Sequence, residues 1–138
     1  MPIQDPLTQQ IIGFCYRIAN TLGHGFIEKV YENALAFEFR KARLSFAQQQ
    51  KVEVFYEGER VGHDKADLIV EGRVIVEVKA IQALSEVDVA QGLNYLRATG
   101  LPTCLLIHFG KAKIEVRRLG MKPGEGTGGM ELEVKDVQ

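Results

Sequence analysis

The chain has 138 residues, 46% of them hydrophobic and 25% charged, which is enough for one core but not for a catalytic domain plus a separate binding domain. Seventeen basic against 18 acidic residues leave a net charge of −1, so any nucleic-acid contact must come from a local patch rather than from overall charge. No apolar run nears the ~20 residues that span a bilayer.

The first residues, Met1 to Asp5, carry no basic-then-apolar leader. Cys15 and Cys104 sit inside apolar patterns and not in a metal-binding cluster, so reduced core thiols of a cytoplasmic protein without membrane contact are expected. Asp5 or Thr8 can cap a first helix, with Pro6 tolerated in its first turn. Ile11, Cys15, Ile18 and Leu22, joined by Phe14, form its apolar stripe. Gly23-His24-Gly25 stops it. A second helix is predicted from about Phe26 to Arg43, burying Ile27, Val30, Tyr31, Ala34, Leu35 and Ala42.

From Phe46 the period falls to two, with Val52, Val54 and Tyr56 alternating with Glu53 and Phe55. Glu57-Gly58-Glu59 reads as a turn. Strands carrying Asp67 (66–70) and Glu77-Lys79 (74–79) follow, separated by Glu71-Gly72-Arg73. A helix is predicted over about Glu86–Thr99, capped by Ser85 and ended by Gly100-Leu101-Pro102. Cys104–Phe109 is a fully apolar strand that can lie parallel to the Glu77 strand through the intervening helix. Ile114–Leu119 alternates as a half-exposed edge strand. The stretch 120–138, with five glycines and Pro123, is expected to be a tail without fixed structure. The result is one domain over 1–119: an α/β fold in which helices flank a mixed sheet, in the order helix, helix, three strands, helix, two strands.

The most informative segment is Val74-Ile75-Val76-Glu77-Val78-Lys79. Its apolar density marks a strand buried on both faces. Yet Glu77 and Lys79, two apart, project on one side of it. If Gly72 lies at the centre of its turn, Asp67 stands opposite Glu77. A two-residue Glu71-Gly72 turn would instead place Val76 there, but Glu-Gly is not a favoured dipeptide for it. Like charges facing each other across strands repel. A divalent cation turns that repulsion into binding, and Mg²⁺ suits one or two carboxylates with water and phosphate.

These residues resemble the D…(D/E)xK motif of the PD-(D/E)xK nuclease superfamily, through Asp67, Glu77 and Lys79. Gly25-Phe-Ile-Glu28-Lys-Val-Tyr31 is similar to the signature of the GxxExxY family within it. Gln91-Gly-Leu-Asn-Tyr95 is similar to the QxxxY motif of its RecB-like branch. The likeness covers about Leu7 to Leu119. Ala66 stands where the superfamily's name has Pro. The resemblance implies a restriction-endonuclease-like core and hydrolysis of phosphodiesters, with DNA the favoured substrate and Mg²⁺ or Mn²⁺ the cofactor.

On that footing Asp67 and Glu77 are the inner metal ligands, with the backbone carbonyl of Val78 a third and Glu28 a further ligand, direct or through water. Lys79 stabilises charge on the phosphate or orients the attacking water. Tyr31, three residues from Glu28, would hold it in place. Gln91 and Tyr95 share a helix face and would contact phosphate or order the ligands. Two other readings stand beside this one: a nucleic-acid-binding module that keeps the fold without turnover, and an interaction protein or homo-oligomer that uses its edge strand. Taken by themselves, Asp67, Glu77 and Lys79 also read as a solvated, salt-bridged face of an exposed strand pair. His24, His63 and His108 read as structural or surface residues.

Overall fold

Asp5 accepts the Leu7 N–H at 3.1 Å and caps α1 (Pro6–Leu22), with Pro6 in its first turn. The computed structural model describes residues 5–81, 83–123 and 130–137. Among these no helix is long and apolar enough to cross a membrane. Gly23 at φ 74° and Gly25 at φ 110° turn the chain into α2 (Glu28–Lys41), which begins two residues later and ends two earlier than the sequence pattern suggests. The Tyr31 hydroxyl donates to the Gly23 carbonyl at 2.7 Å and accepts the Phe26 N–H at 3.2 Å. Its ring stacks on Phe109 at 4.4 Å. Tyr31 therefore ties the loop and the start of α2 to the core, and its hydroxyl bonds backbone groups rather than Glu28.

The strands are β1 (Phe46–Tyr56), β2 (Glu59–Val70), β3 (Val74–Lys79), β4 (Thr103–His108), β5 (Glu115–Pro123) and β6 (Met130–Val137), with α3 (Glu86–Thr99) between β3 and β4. They form one sheet in chain order. Only β3 and β4 run parallel, joined by the α3 crossover. The mixed α/β architecture is the one the element order implies. Helices α1 and α2 cover one face, where Val74, Val76 and Val78 meet Ile11, Leu35 and Phe39. On the other, α3 lays Tyr95 and Leu96 against Ile75, Cys104 and Leu106. Both faces of β3 are thus buried, as its apolar run requires.

The last part of the chain departs from expectation. The segment from Gly120, read as a structureless tail, continues β5 to Pro123 and returns as β6, and β5 is an inner strand instead of an edge. The glycines outweigh a pattern that is nonetheless there: Met130, Leu132 and Val134 alternate with Glu131, Glu133 and Lys135, the period of a strand. The glycine-rich residues 124–129 lie outside the described residues.

Strands β1 and β2 are 11 and 12 residues long against six for β3. Pairing of β2 with β3 stops at Leu68–Val76, while β1 and β2 stay paired from Phe46–Val70 to Tyr56–Glu59. The far half of the β1–β2 hairpin is therefore an arm that outruns the rest of the sheet.

Candidate active site

The Glu71-Gly72-Arg73 turn leaves Val70 paired with Val74 and Leu68 with Val76. The next positions in this register are Asp67 and Glu77, as the longer loop requires. There the backbone ladder gives way to side chains. Glu77 Oε2 accepts the Asp67 N–H at 2.7 Å, and Asp67 Oδ2 accepts the Val78 N–H at 2.8 Å. Each carboxylate thus caps the other strand's backbone, and the two acids are locked side by side.

Strand alternation slips at the same point. Ala66 and Leu68, two apart, belong to the packing clusters on opposite faces. Gln49 of β1, between the Gln48–Leu68 and Gln50–Ala66 pairs, takes a left-handed φ of 54°. A non-glycine residue there stores roughly 1–3 kcal/mol of strain. Its amide spans the site, donating to Asp67 Oδ1 at 3.3 Å and to Glu32 Oε1 at 2.9 Å.

Electrostatics follow from this crowding. Burial, then the Asp67 charge beside it, push the Glu77 carboxyl up to about 8. Burial also raises Asp67, opposed by the Val78 N–H, with Glu32 adding repulsion. Paired carboxylates that resist joint ionisation have the donor chemistry that a hard divalent ion takes. No group of three or more His, Cys, Asp or Glu side chains converges on one point among the described residues. Protein ligands beyond the two acids would therefore have to come from backbone or through water.

Lys79 is the third motif residue, its side chain 16% exposed. Its Nζ donates to Gln91 Oε1 at 2.8 Å and lies 3.8 Å from Asp88 Oδ1. Its charge favours the ionised forms of both Asp67 and Glu77. Gln91 Nε2 donates in turn to the Tyr95 hydroxyl at 3.1 Å, which donates to the Lys65 carbonyl at 2.9 Å. The Ser85–Asp88 capping box starts α3 and sets this helix in place. Gly92 lets it approach the sheet: a Cβ there would lie 2.5 Å from Leu119 Cδ1 and 3.2 Å from Cys104 Sγ. Asp67, Glu77, Lys79, Gln91 and Tyr95 thus meet in one place.

Glu28 is set apart from that cluster. It is exposed in the first turn of α2, where its Oε2 accepts the Ala80 N–H at 3.3 Å, one residue beyond Lys79. It flanks the site from the end of β3 and does not join the two acids in a three-carboxylate group. Two residues that the sequence motifs do not single out, Gln49 and Glu32, are closer in. Glu32 is 3% exposed and takes hydrogen bonds from Lys29 Nζ at 3.0 Å, Gln48 Nε2 at 2.6 Å and Gln49 Nε2 at 2.9 Å. Helical spacing signals it: Glu32, Leu35, Ala36 and Phe39 all lie on the buried face of α2. His63 is on the exposed arm beside Arg60, 3.1 Å away, with no part in the site.

No curated protein and no solved structure matches the chain. A model of the PD-(D/E)XK nuclease superfamily matches residues 5–119. Nucleases of that superfamily act on nucleic acid and generally use divalent metal ions. With the motif acids, the lysine and the parallel crossover all inside the matched span, the chain belongs to the PD-(D/E)XK nuclease superfamily.

Proposed function

We propose that this protein is a Mg²⁺- or Mn²⁺-dependent nuclease that hydrolyses phosphodiester bonds of DNA, of the GxxExxY type within its superfamily. The observation that carries the reading is the interlocked Asp67–Glu77 pair, with Glu77 buried near the end of β3, Asp67 half-buried beside it on β2, and Lys79 two residues beyond Glu77.

Asp67 and Glu77 would hold the ion, with the Val78 carbonyl as a further ligand and Glu28 through water. When bound, it would supply Lewis-acid polarisation of the phosphoryl oxygen and acidify a water towards neutrality. Lys79 stabilises negative charge developing on the phosphate. It does so from a fixed position, since Gln91 accepts from its ammonium and Tyr95 fixes Gln91. Gln49 and the backbone amides of Asp67 and Val78 hold the two carboxylates in register and aim their remaining lone pairs.

The test is cleavage of single- and double-stranded DNA by the full chain with Mg²⁺ or Mn²⁺ against EDTA. Activity is expected with metal and lost in Asp67→Ala and Lys79→Ala. Unchanged activity in both variants refutes this site. Salt-sensitive DNA binding with no cleavage under any divalent ion would favour the alternative, a binding module that keeps the fold.

A further inference from the structure

A groove of about 640 Å³ opens between the β1–β2 arm and α3, directly against the site: Gln91 and Tyr95, which position Lys79, also form its inner end. This is the size of sites that take small organic groups. Its outer wall is apolar and open to solvent. Phe55 is 61% exposed, Val54 40% and, across from them on α3, Val87 76%. The lining runs unbroken along Val52, Glu53, Val54 and Phe55 of β1, and a break in the β1–β2 register falls between Val54 and Phe55. Apolar side chains gathered in the open beside a reaction centre mark a contact surface.

The polar lining says what fits. Among the described residues lining the groove, Arg97 is the one cation, and it donates to Asn94 Oδ1 at 3.1 Å. Asp64 and Glu53 are acidic, and Glu53 is paired with Arg60 and Lys51 of the arm. A lining whose one cation is already held offers no clamp for a duplex backbone. A flat, uncharged, aromatic group with hydrogen-bonding edges suits it: the Phe55 face for stacking, and for the edges the Asn94 amide N–H groups, left over once its oxygen is held. In a duplex every base is already stacked and paired, so the group that enters comes from an unpaired strand.

We infer that this groove is a nucleobase subsite, in which a base next to the scissile phosphate stacks on Phe55, so that the preferred substrate is single-stranded or locally unpaired nucleic acid. The inference rests on the nuclease reading of the Asp67–Glu77 site for the place of the phosphate, but its test does not need turnover. A single-stranded DNA oligonucleotide carrying 2-aminopurine is titrated with the full chain in EDTA, as wild type, Phe55→Ala and Val87→Asp. Both positions are exposed, so neither change threatens folding.

Quenching on binding of the wild type is expected. In Phe55→Ala the quench should be lost and binding weaken roughly 5- to 150-fold, the usual range for removing one stacking partner. Val87→Asp should weaken it as well, and the corresponding duplex should show neither effect. No quench with wild type, an equal quench in both variants, or an equal response to duplex overturns the subsite. Cleavage assays with Mn²⁺ separate the two readings. Wild-type cleavage that Phe55→Ala leaves unchanged on single strands removes the subsite and spares the nuclease. A Phe55-dependent quench without cleavage under any divalent ion does the reverse.

Discussion

Lys79 Nζ and Gln91 Oε1 are 2.8 Å apart, a hydrogen bond that couples the end of β3 to the second turn of α3. It is the first link of a chain that runs through the Tyr95 hydroxyl to the Lys65 carbonyl of β2. The Lys79 ammonium is therefore aimed by Gln91 and, through it, by Tyr95, neither of which need touch substrate on the proposed reading. Gln91→Ala and Tyr95→Phe should lower kcat by about 10- to 100-fold, the common cost of losing a group that orients a metal-site residue, with a much smaller change in KM. Steady-state cleavage kinetics check this. A rise in KM at constant kcat would mean that Gln91 and Tyr95 bind substrate directly.

The interlocked acids make a separate prediction about metal. An ion held by Asp67 and Glu77 binds the native chain and not the unfolded one, so it stabilises by mass action, about 2.7 kcal/mol at one hundred times its dissociation constant. Calorimetry with and without Mn²⁺ should show a higher Tm for wild type. Asp67→Asn and Glu77→Gln should abolish the rise. A metal-induced shift that survives both changes would place the ion elsewhere.

Why the motif acids were legible and their surroundings were not follows from the kind of signal each leaves. A Glu and a Lys within a run of valines violate strand patterning, and the three-residue turn around Gly72 fixes their register to Asp67; both are local. Gln49 leaves no such mark. It is one glutamine of three in a row, and what singles it out is a backbone irregularity seen once β1 and β2 pair. Glu32 follows the helical periodicity of the buried face of α2, whereas Glu28, the acid of the Gly25–Tyr31 segment, sits one turn earlier at the exposed start of the helix. Likewise the alternation of Met130–Val137 was masked by the glycines before it. The groove beside Phe55 depends on the β1–β2 arm lying against α3, a tertiary pairing that composition does not encode.

Gly92 ties fold to function through space. A Cβ at this position meets Leu119 Cδ1 at 2.5 Å in a fully buried interface. Overpacking of this kind costs about 1–3 kcal/mol, against roughly 1 kcal/mol gained in helix propensity for Gly to Ala. Gly92→Ala should therefore lower Tm. It should also lower kcat, because α3 lifts off the sheet carrying Gln91 and Tyr95 with it. Adding Leu119→Val makes room for the new methyl and should recover part of both. Equal stability of Gly92→Ala and wild type would show that α3 has slack at this contact.

The pH dependence of stability tests the burial of the acid pair without any assay of cleavage. Glu77 titrates near 4.5 in the unfolded chain and at about 8 in the metal-free fold. Between these values the folded protein keeps a proton that the unfolded chain has released. The unfolded state then binds fewer protons, and the slope of unfolding free energy with pH is negative. Stability from this group is full below pH 4.5 and is lost as pH rises towards 8. Asp67, raised by burial as well, adds in the same direction. This is the reverse of the usual behaviour of a salt-bridged carboxylate, which loses stability in acid. Urea unfolding in EDTA should therefore show midpoints that fall from pH 5 to pH 8, and Glu77→Gln, which never ionises, should flatten that fall. Saturating Mn²⁺ should also reverse it in wild type, since the ion replaces the proton between the two acids. A midpoint that climbs with pH in the metal-free wild type, or a slope that Glu77→Gln leaves intact, would mean that the carboxylate is solvated and the pair is not closed as the hydrogen bonds to Asp67 and Val78 indicate.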